Sequence, residues 1–149
     1  MKMIFRLLVT FLIIAFTLNL AQEVKFEKNV IHLSEIDWGK TITADSGVQT
    51  FYLLGNPKEA GYYIILVRIP PNVKLVPHFH PENRTVVVTA GKFYWNYGNV
   101  FDESKLLEMH VGAYFVEPAD EPHFAQTKND EVILQVNGFG PTGTTLINK

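Results

Sequence analysis

Two of the chain's five histidines, His78 and His80, are separated by a single residue. Side chains alternate faces along a β-strand, so in a strand both imidazoles project to the same side, about 7 Å apart along the backbone. Two imidazoles in that relation can chelate one metal ion. His123 lies 43 residues beyond His80, behind the turn Pro118-Ala119-Asp120, and heads another run of strand-forming residues. It joins the pair only if the two strands are neighbours, an arrangement that closed antiparallel β-folds provide. On the pair alone, two hydrogen-bonded or exposed strand histidines are the competing reading. His32 and His110 have no such partners and read as surface or hydrogen-bonded structural residues. The chain has no cysteine, which excludes a disulfide scaffold, a thiolate zinc site, an iron–sulfur cluster and a cysteine nucleophile. Any metal must therefore be held by His, Asp or Glu.

The elements that must position these residues are short strands. Runs rich in β-branched and aromatic residues recur at 49–54, 62–69, 74–80, 84–90, 92–97, 113–116, 123–126 and 131–136. Most are separated by turn chemistry such as Gly55-Asn56-Pro57, Pro70-Pro71-Asn72, Pro81-Glu82-Asn83 and Ala90-Gly91-Lys92, residues that fix φ or tolerate positive φ. About eight strands at this spacing predict an all-β sandwich or barrel. A parallel α/β sheet is disfavoured, because no helical period of useful length falls between the strands. Residues 103–110 fit a helical turn and a strand equally well, and Asp102 fits a cap for that turn. Most of the aromatics around the motifs, among them Phe79, Phe93, Tyr94, Trp95 and Phe124, are expected in the core, with one or two left to face a ligand.

Lys2 and Arg6 precede an apolar, uncharged run that reaches Ala21, the pattern of a secretory signal peptide. The run falls short of the roughly 20 predominantly apolar residues of a spanning helix, so no stable membrane anchor is expected after processing. The expected organisation is a signal peptide over 1–21, one domain over 22–149, and a periplasmic or secreted protein. Loss of the signal removes Lys2 and Arg6 and no acidic residue. The remaining 128 residues then carry 11 Lys+Arg against 15 Asp+Glu, a net charge of −4. A mildly acidic chain without a basic, aromatic-interleaved stretch has no affinity for phosphate backbones, so no nucleic-acid partner is expected.

The histidine spacing resembles the cupin family. Its first motif, two histidines one apart, a Glu four residues after the second and a Gly seven beyond that, maps onto His78, His80, position 84 and Gly91. The second, Gly-x5-Pro-x-Gly-x2-His-x3-Asn, maps onto Gly112, Pro118, position 120, His123 and position 127. Three positions depart from the pattern: Arg84, Asp120 and Thr127. The resemblance, which covers most of the chain from Gly55 to Pro141, implies a small antiparallel jelly-roll barrel. It also implies one divalent metal ion (zinc, manganese, iron or nickel) held in the mouth by His78, His80 and His123, a small-molecule ligand, and in many cupins a homodimer.

Arg84 stands where the family has a carboxylate ligand, and a guanidinium cannot ligate a metal. In an uninterrupted strand Glu82 shares the parity of His80 and would restore a three-His plus carboxylate set. Pro81 disfavours that geometry, and in a solvated turn Glu82 would leave three imidazoles with open positions, which suffice for zinc. Arg84 reads either as a salt bridge to Glu82 or another rim carboxylate, or as an anchor for a ligand's carboxylate beside the metal.

Two functions from different classes follow. One is an exported metalloenzyme acting on a small oxygen-containing, carboxylate-bearing molecule. The other is a non-catalytic module that binds or senses a small ligand. The sequence names no catalytic residue: it shows no Ser-His-Asp spacing, no phosphate-cradling glycine loop and no carboxylate pair of glycosidase type.

Overall fold

The structure is a computed structural model and describes residues 25–147. The export segment expected at 1–21 lies outside the described residues. Eleven strands run through them: β1 (Ile42–Thr43), β2 (Gln49–Leu54), β3 (Gly61–Ile69), β4 (Lys74–Phe79), β5 (Arg84–Ala90), β6 (Phe93–Tyr97), β7 (Leu107–Met109), β8 (Tyr114–Glu117), β9 (His123–Thr127), β10 (Val132–Gly140) and β11 (Thr145–Leu146). They form a six-stranded sheet in the order β1-β2-β3-β10-β5-β8 and a five-stranded sheet in the order β11-β4-β9-β6-β7. Every pairing is antiparallel. From β3 onward each connection except β6 to β7 carries the chain from one sheet to the other. That alternation is what a jelly roll requires, and it sets strands distant in sequence side by side.

Period-two alternation decides what lies between the sheets. On β3, Tyr63, Ile65 and Ile69 point inward, as do Val86 and Val88 on β5 and Phe93 and Trp95 on β6. Val132, Leu134 and Val136 on β10 complete this core. Fully burying each such side chain contributes about 1.5–3 kcal/mol. The opposite parity carries Leu66 and Ile133 to the outer face of the six-stranded sheet, where Ile36 and Trp38 cover them. Two 3₁₀ turns, Leu33–Glu35 and Trp38–Lys40, hold that covering segment. It is tied down by Gln49 Nε2 donating to the Trp38 carbonyl at 2.7 Å and by the Arg68 guanidinium over the Trp38 ring at 5.4 Å.

β10 extends four residues beyond the expected 131–136 run, through Gly138 and Gly140, which carry no strand propensity. Gly138 is required there because a Cβ would lie 2.6 Å from Tyr63 Oη. Residues 103–110 hold both expected elements in series, a 3₁₀ turn at Glu103–Lys105 and then β7. Asp102 does cap that turn, its Oδ1 accepting from the Ser104 amide at 3.0 Å. β1 and β11 are too short to leave a periodic signal. Of the motif glycines, Gly91 sits at φ +75° with the Glu131 carbonyl 2.1 Å from where a Cβ would stand, so no other residue fits the β5–β6 turn.

Candidate metal centre

β4 and β9 are hydrogen-bonded neighbours in the five-stranded sheet, and His78 and His123 are directly opposed in their register. The ladder between them is irregular from Leu75 to His78. Pro77 sits in that stretch and has no N–H to give to the ladder. β4 ends at Phe79, so His80 emerges just past the strand, before Pro81. The three imidazoles nevertheless meet: ring centroids lie 4.4 Å apart for His78 and His123, 5.1 Å for His78 and His80, and 5.2 Å for His80 and His123. One ring nitrogen from each lies within 4.8 Å of the others.

Each ring is fixed by a backbone carbonyl. His78 Nδ1 donates to the Val76 carbonyl at 2.7 Å, His80 Nδ1 to that of Gly143 at 2.6 Å, and His123 Nδ1 to that of Glu121 at 3.1 Å. A carbonyl can only accept, so in the neutral ring the proton sits on Nδ1 and Nε2 presents a bare lone pair. Nε2 of His80 and of His123 is buried without a hydrogen-bond partner. Buried and unpaired, on rings whose centroids lie 5.2 Å apart, these nitrogens are a donor set suited to a divalent ion, each held in orientation by its own outer partner.

The other predicted site residues stand differently. Glu82 lies in the turn after β4 and is not among the residues that gather with the imidazoles. Its Oε1 accepts from the buried Tyr63 hydroxyl at 2.6 Å, and its Oε2 is buried without a partner. Arg84 does not present a free guanidinium: Nε donates to Glu117 Oε2 at 2.8 Å and Nη2 to the same oxygen. Glu117 is the residue that sequence reasoning missed. Its carboxylate is buried, with Oε1 3.4 Å from His123 Nε2 and Oε2 3.9 Å from His80 Nε2. The signal for it was the cross-strand register of β5 and β8, which opposes Arg84 to Glu117 and cannot be read without the fold. Of the motif departures, Asp120 takes up φ 60°, the left-handed conformation that Asp tolerates. Thr127 Oγ1 donates to the Pro70 carbonyl at 2.6 Å and accepts from the Val73 amide at 2.9 Å, tying the end of β9 to the β3–β4 turn. His110 stays at the surface, 3.2 Å from Glu108.

Burial lowers the pKa of all three imidazoles, and for His80, where the nearby Arg84 charge adds to desolvation, it falls to about 3. For Glu117 burial pushes upward, but above all the Arg84 charge and its hydrogen bond outweigh it and hold the carboxyl below its ordinary 4.5. At neutral pH the site is therefore three neutral imidazoles beside one carboxylate.

These directions set the pH dependence of the metal-free protein. In the unfolded chain each histidine protonates near 6.5, while in the fold it resists protonation to lower pH. Below 6.5 the unfolded state binds more protons, and stability falls with pH by about 1.4 kcal/mol per unit per imidazole until the folded value is reached. The contribution of Glu117 is fully present above 4.5 and is lost as pH falls through its lowered folded value. The melting temperature, followed by circular dichroism, is expected to be flat above about pH 7.5 and to fall steadily from 6.5 to 4. A melt unchanged between pH 7.5 and 5 would contradict this account of the site.

The cluster opens onto a cavity of about 690 Å³ between the two sheets. Its walls are apolar, from Ile65, Val67, Leu75, Phe93, Trp95 and Leu134, while Thr142, Gly143 and Thr144 of the C-terminal segment close over His80. Of the aromatics around the motifs, Phe93 and Trp95 face the cavity, joined by Tyr52 from β2, and Trp95 also shelters His123 at a ring distance of 6.1 Å.

The family model of the ChrR cupin-like domain matches residues 27–141 of this chain. The chain belongs to that family and is a cupin. This cupin is 24% identical over 98 residues to the H2HPP isomerase of Bacillus subtilis, a match covering 66% of the chain. It spans only 38% of that protein's length. Among solved structures it is similar to a conserved protein with a double-stranded β-helix domain from Klebsiella pneumoniae (TM-score 0.59, 16% identity, 83% of this chain and 100% of that one). It is also similar to the salicylate 1,2-dioxygenase of Pseudoaminobacter salicylatoxidans (TM-score 0.57, 13% identity, 72% of this chain and 32% of that one). At such identities the likeness is one of fold.

Proposed function

We infer that this cupin is an exported, metal-dependent enzyme that holds one divalent ion through His78, His80 and His123 and acts on a small oxygen-bearing molecule bound in the cavity between the sheets. The observation that carries this reading is the set of three carbonyl-fixed imidazoles, each with a ring nitrogen within 4.8 Å of the others and with Nε2 of His80 and His123 buried and unpaired, on a cavity whose walls are largely apolar. Such an ion supplies Lewis-acid polarisation of a substrate oxygen. The chain's own residues do the rest. Val67, Leu75, Phe93 and Trp95 offer the apolar body of a ligand a dry surface, so that its oxygen is the end directed to the histidines. Arg84 and Glu117 neutralise each other within the site, which favours a substrate with one polar end over a multiply charged one. Reaction classes named for similar proteins, isomerisation and dioxygenation, are compatible with this arrangement. Export is supported by Lys2, Arg6 and the apolar run through Ala21.

The test is a thermal-shift screen of the zinc-loaded protein against small hydroxy, keto and carboxylate compounds with apolar bodies. The reading predicts stabilisation by a subset of them that depends on the metal; for a ligand at 100 times its Kd the gain is about 2.7 kcal/mol. Stabilisation identical in metal-free protein would refute the metal's role. N-terminal sequencing of the purified protein, expected to begin near residue 22, tests export, and an intact Met1 would refute processing.

A further inference from the structure

The structure assigns Glu117 as a fourth, anionic ligand of the metal site, an assignment that rests on the metal-binding reading above. Nε2 of His123 carries a lone pair, because its Nδ1 proton goes to the Glu121 carbonyl. An ionised carboxylate can only accept. Yet Glu117 Oε1 faces that nitrogen at 3.4 Å in buried surroundings, and Oε2 lies 3.9 Å from the similarly bare Nε2 of His80. Two carboxylate oxygens and two buried, unpaired ring nitrogens thus face one another across the site, the donor atoms that a divalent ion takes up. The distance to His123 also fits a cation: two ligand atoms each about 2.0–2.1 Å from a tetrahedral zinc ion are about 3.3–3.4 Å apart. Glu117, like Glu82, stands outside the set of three histidines whose ligand atoms all lie within 4.8 Å of one another, so it would have to draw in when the ion binds.

The neighbours of Glu117 explain how it stays available. Arg84 directs Nε and Nη2 to Oε2 alone, which locks the carboxylate plane and leaves Oε1 turned to His123. That is the orienting partner ligating carboxylates commonly have. The two residues are directly opposed on β5 and β8 and share the inward parity of Val86 and Phe115. Arg84 is accordingly a positioning residue. Glu82 has one oxygen, Oε1, engaged by the Tyr63 hydroxyl and, unlike Glu117, makes no approach to an imidazole nitrogen among the contacts of the described residues.

The test uses Glu117→Gln, which keeps the shape and an oxygen acceptor for Arg84 but removes the negative charge. Zinc affinity is read by chelator competition and coordination by the visible spectrum of the cobalt-loaded protein. The expected result is a loss of zinc affinity of about tenfold or more and a changed cobalt spectrum. Circular dichroism reports whether the variant folds. If it does not, Arg84→Gln combined with Glu117→Gln removes both charges together, and its cobalt spectrum is expected to differ from that of the wild type in the same way. Wild-type protein that binds neither metal overturns the underlying reading. Wild-type protein that binds them, with Glu117→Gln or the double variant giving an unaltered cobalt spectrum, overturns the assignment of Glu117 alone.

Discussion

Replacing His123 by alanine is expected to weaken zinc binding by about 100-fold or more, beyond the 10–100-fold that loss of an outer partner alone costs. His123 is the residue that turns a chelating pair into a site. It sits opposite His78 in the β4–β9 ladder and opposite Tyr97 in the β6–β9 ladder, so its Cα is fixed from both sides. Its ring approaches both other imidazoles. The backbone ladder does not depend on the side chain, so the variant should retain its β-sheet circular dichroism while losing metal to a chelator. His110→Ala, which removes an exposed ring just past β7 that pairs with Glu108 and is not one of the three clustered histidines, should bind as the wild type does. Equal zinc affinity in the His123→Ala and wild-type proteins would mean that the imidazoles do not act together.

The second large effect is on stability. Side chains of Arg84 and Glu117 are only 12% and 7% exposed, so neither charge has water to turn to if the other is removed. Breaking a buried pair by truncating one partner costs about 3–5 kcal/mol, because an uncompensated charge stays behind. Arg84→Ala should therefore lower the unfolding free energy of the metal-free protein by about that much, measured by urea titration. Zinc should restore part of the loss, since a dication then faces the orphaned carboxylate. Replacing both residues at once, Arg84→Met with Glu117→Leu, should leave stability within about 1–2 kcal/mol of the wild type, because no charge is then stranded. A single-variant loss below about 1 kcal/mol would show the pair to be solvated and weak.

Much of this arrangement is legible in the sequence, for identifiable reasons. The strands that carry the core have strong β-branched and aromatic alternation and were bounded by prolines and glycines, so 84–90 and 49–54 match the observed β5 and β2. The His78-x-His80 spacing and the position of His123 at the head of a strand pointed to three imidazoles that the fold does bring together. What could not be read is whatever depends on which strands are neighbours. Glu117 carries no local signal beside Pro118, and its approach to His123 exists only because β8 pairs with β5 and β9 with β4 in the facing sheets. The same holds for Arg84, for which a salt bridge to a carboxylate was one of two readings, while the partner's identity was set by register. In a continuous strand Glu82 would share the parity of His80, but β4 stops at Phe79 and the Glu82 side chain turns to Tyr63.

The claim on which the account depends is that His78, His80 and His123 form one metal site. The most direct measurement is the metal-to-chain ratio of the protein after loading with zinc and desalting, by inductively coupled plasma mass spectrometry, for the wild type and a variant with all three histidines replaced by alanine. The account predicts about one equivalent in the wild type and close to none in the variant. A folded wild-type protein that retains no zinc, or a triple variant that retains as much as the wild type, would contradict it.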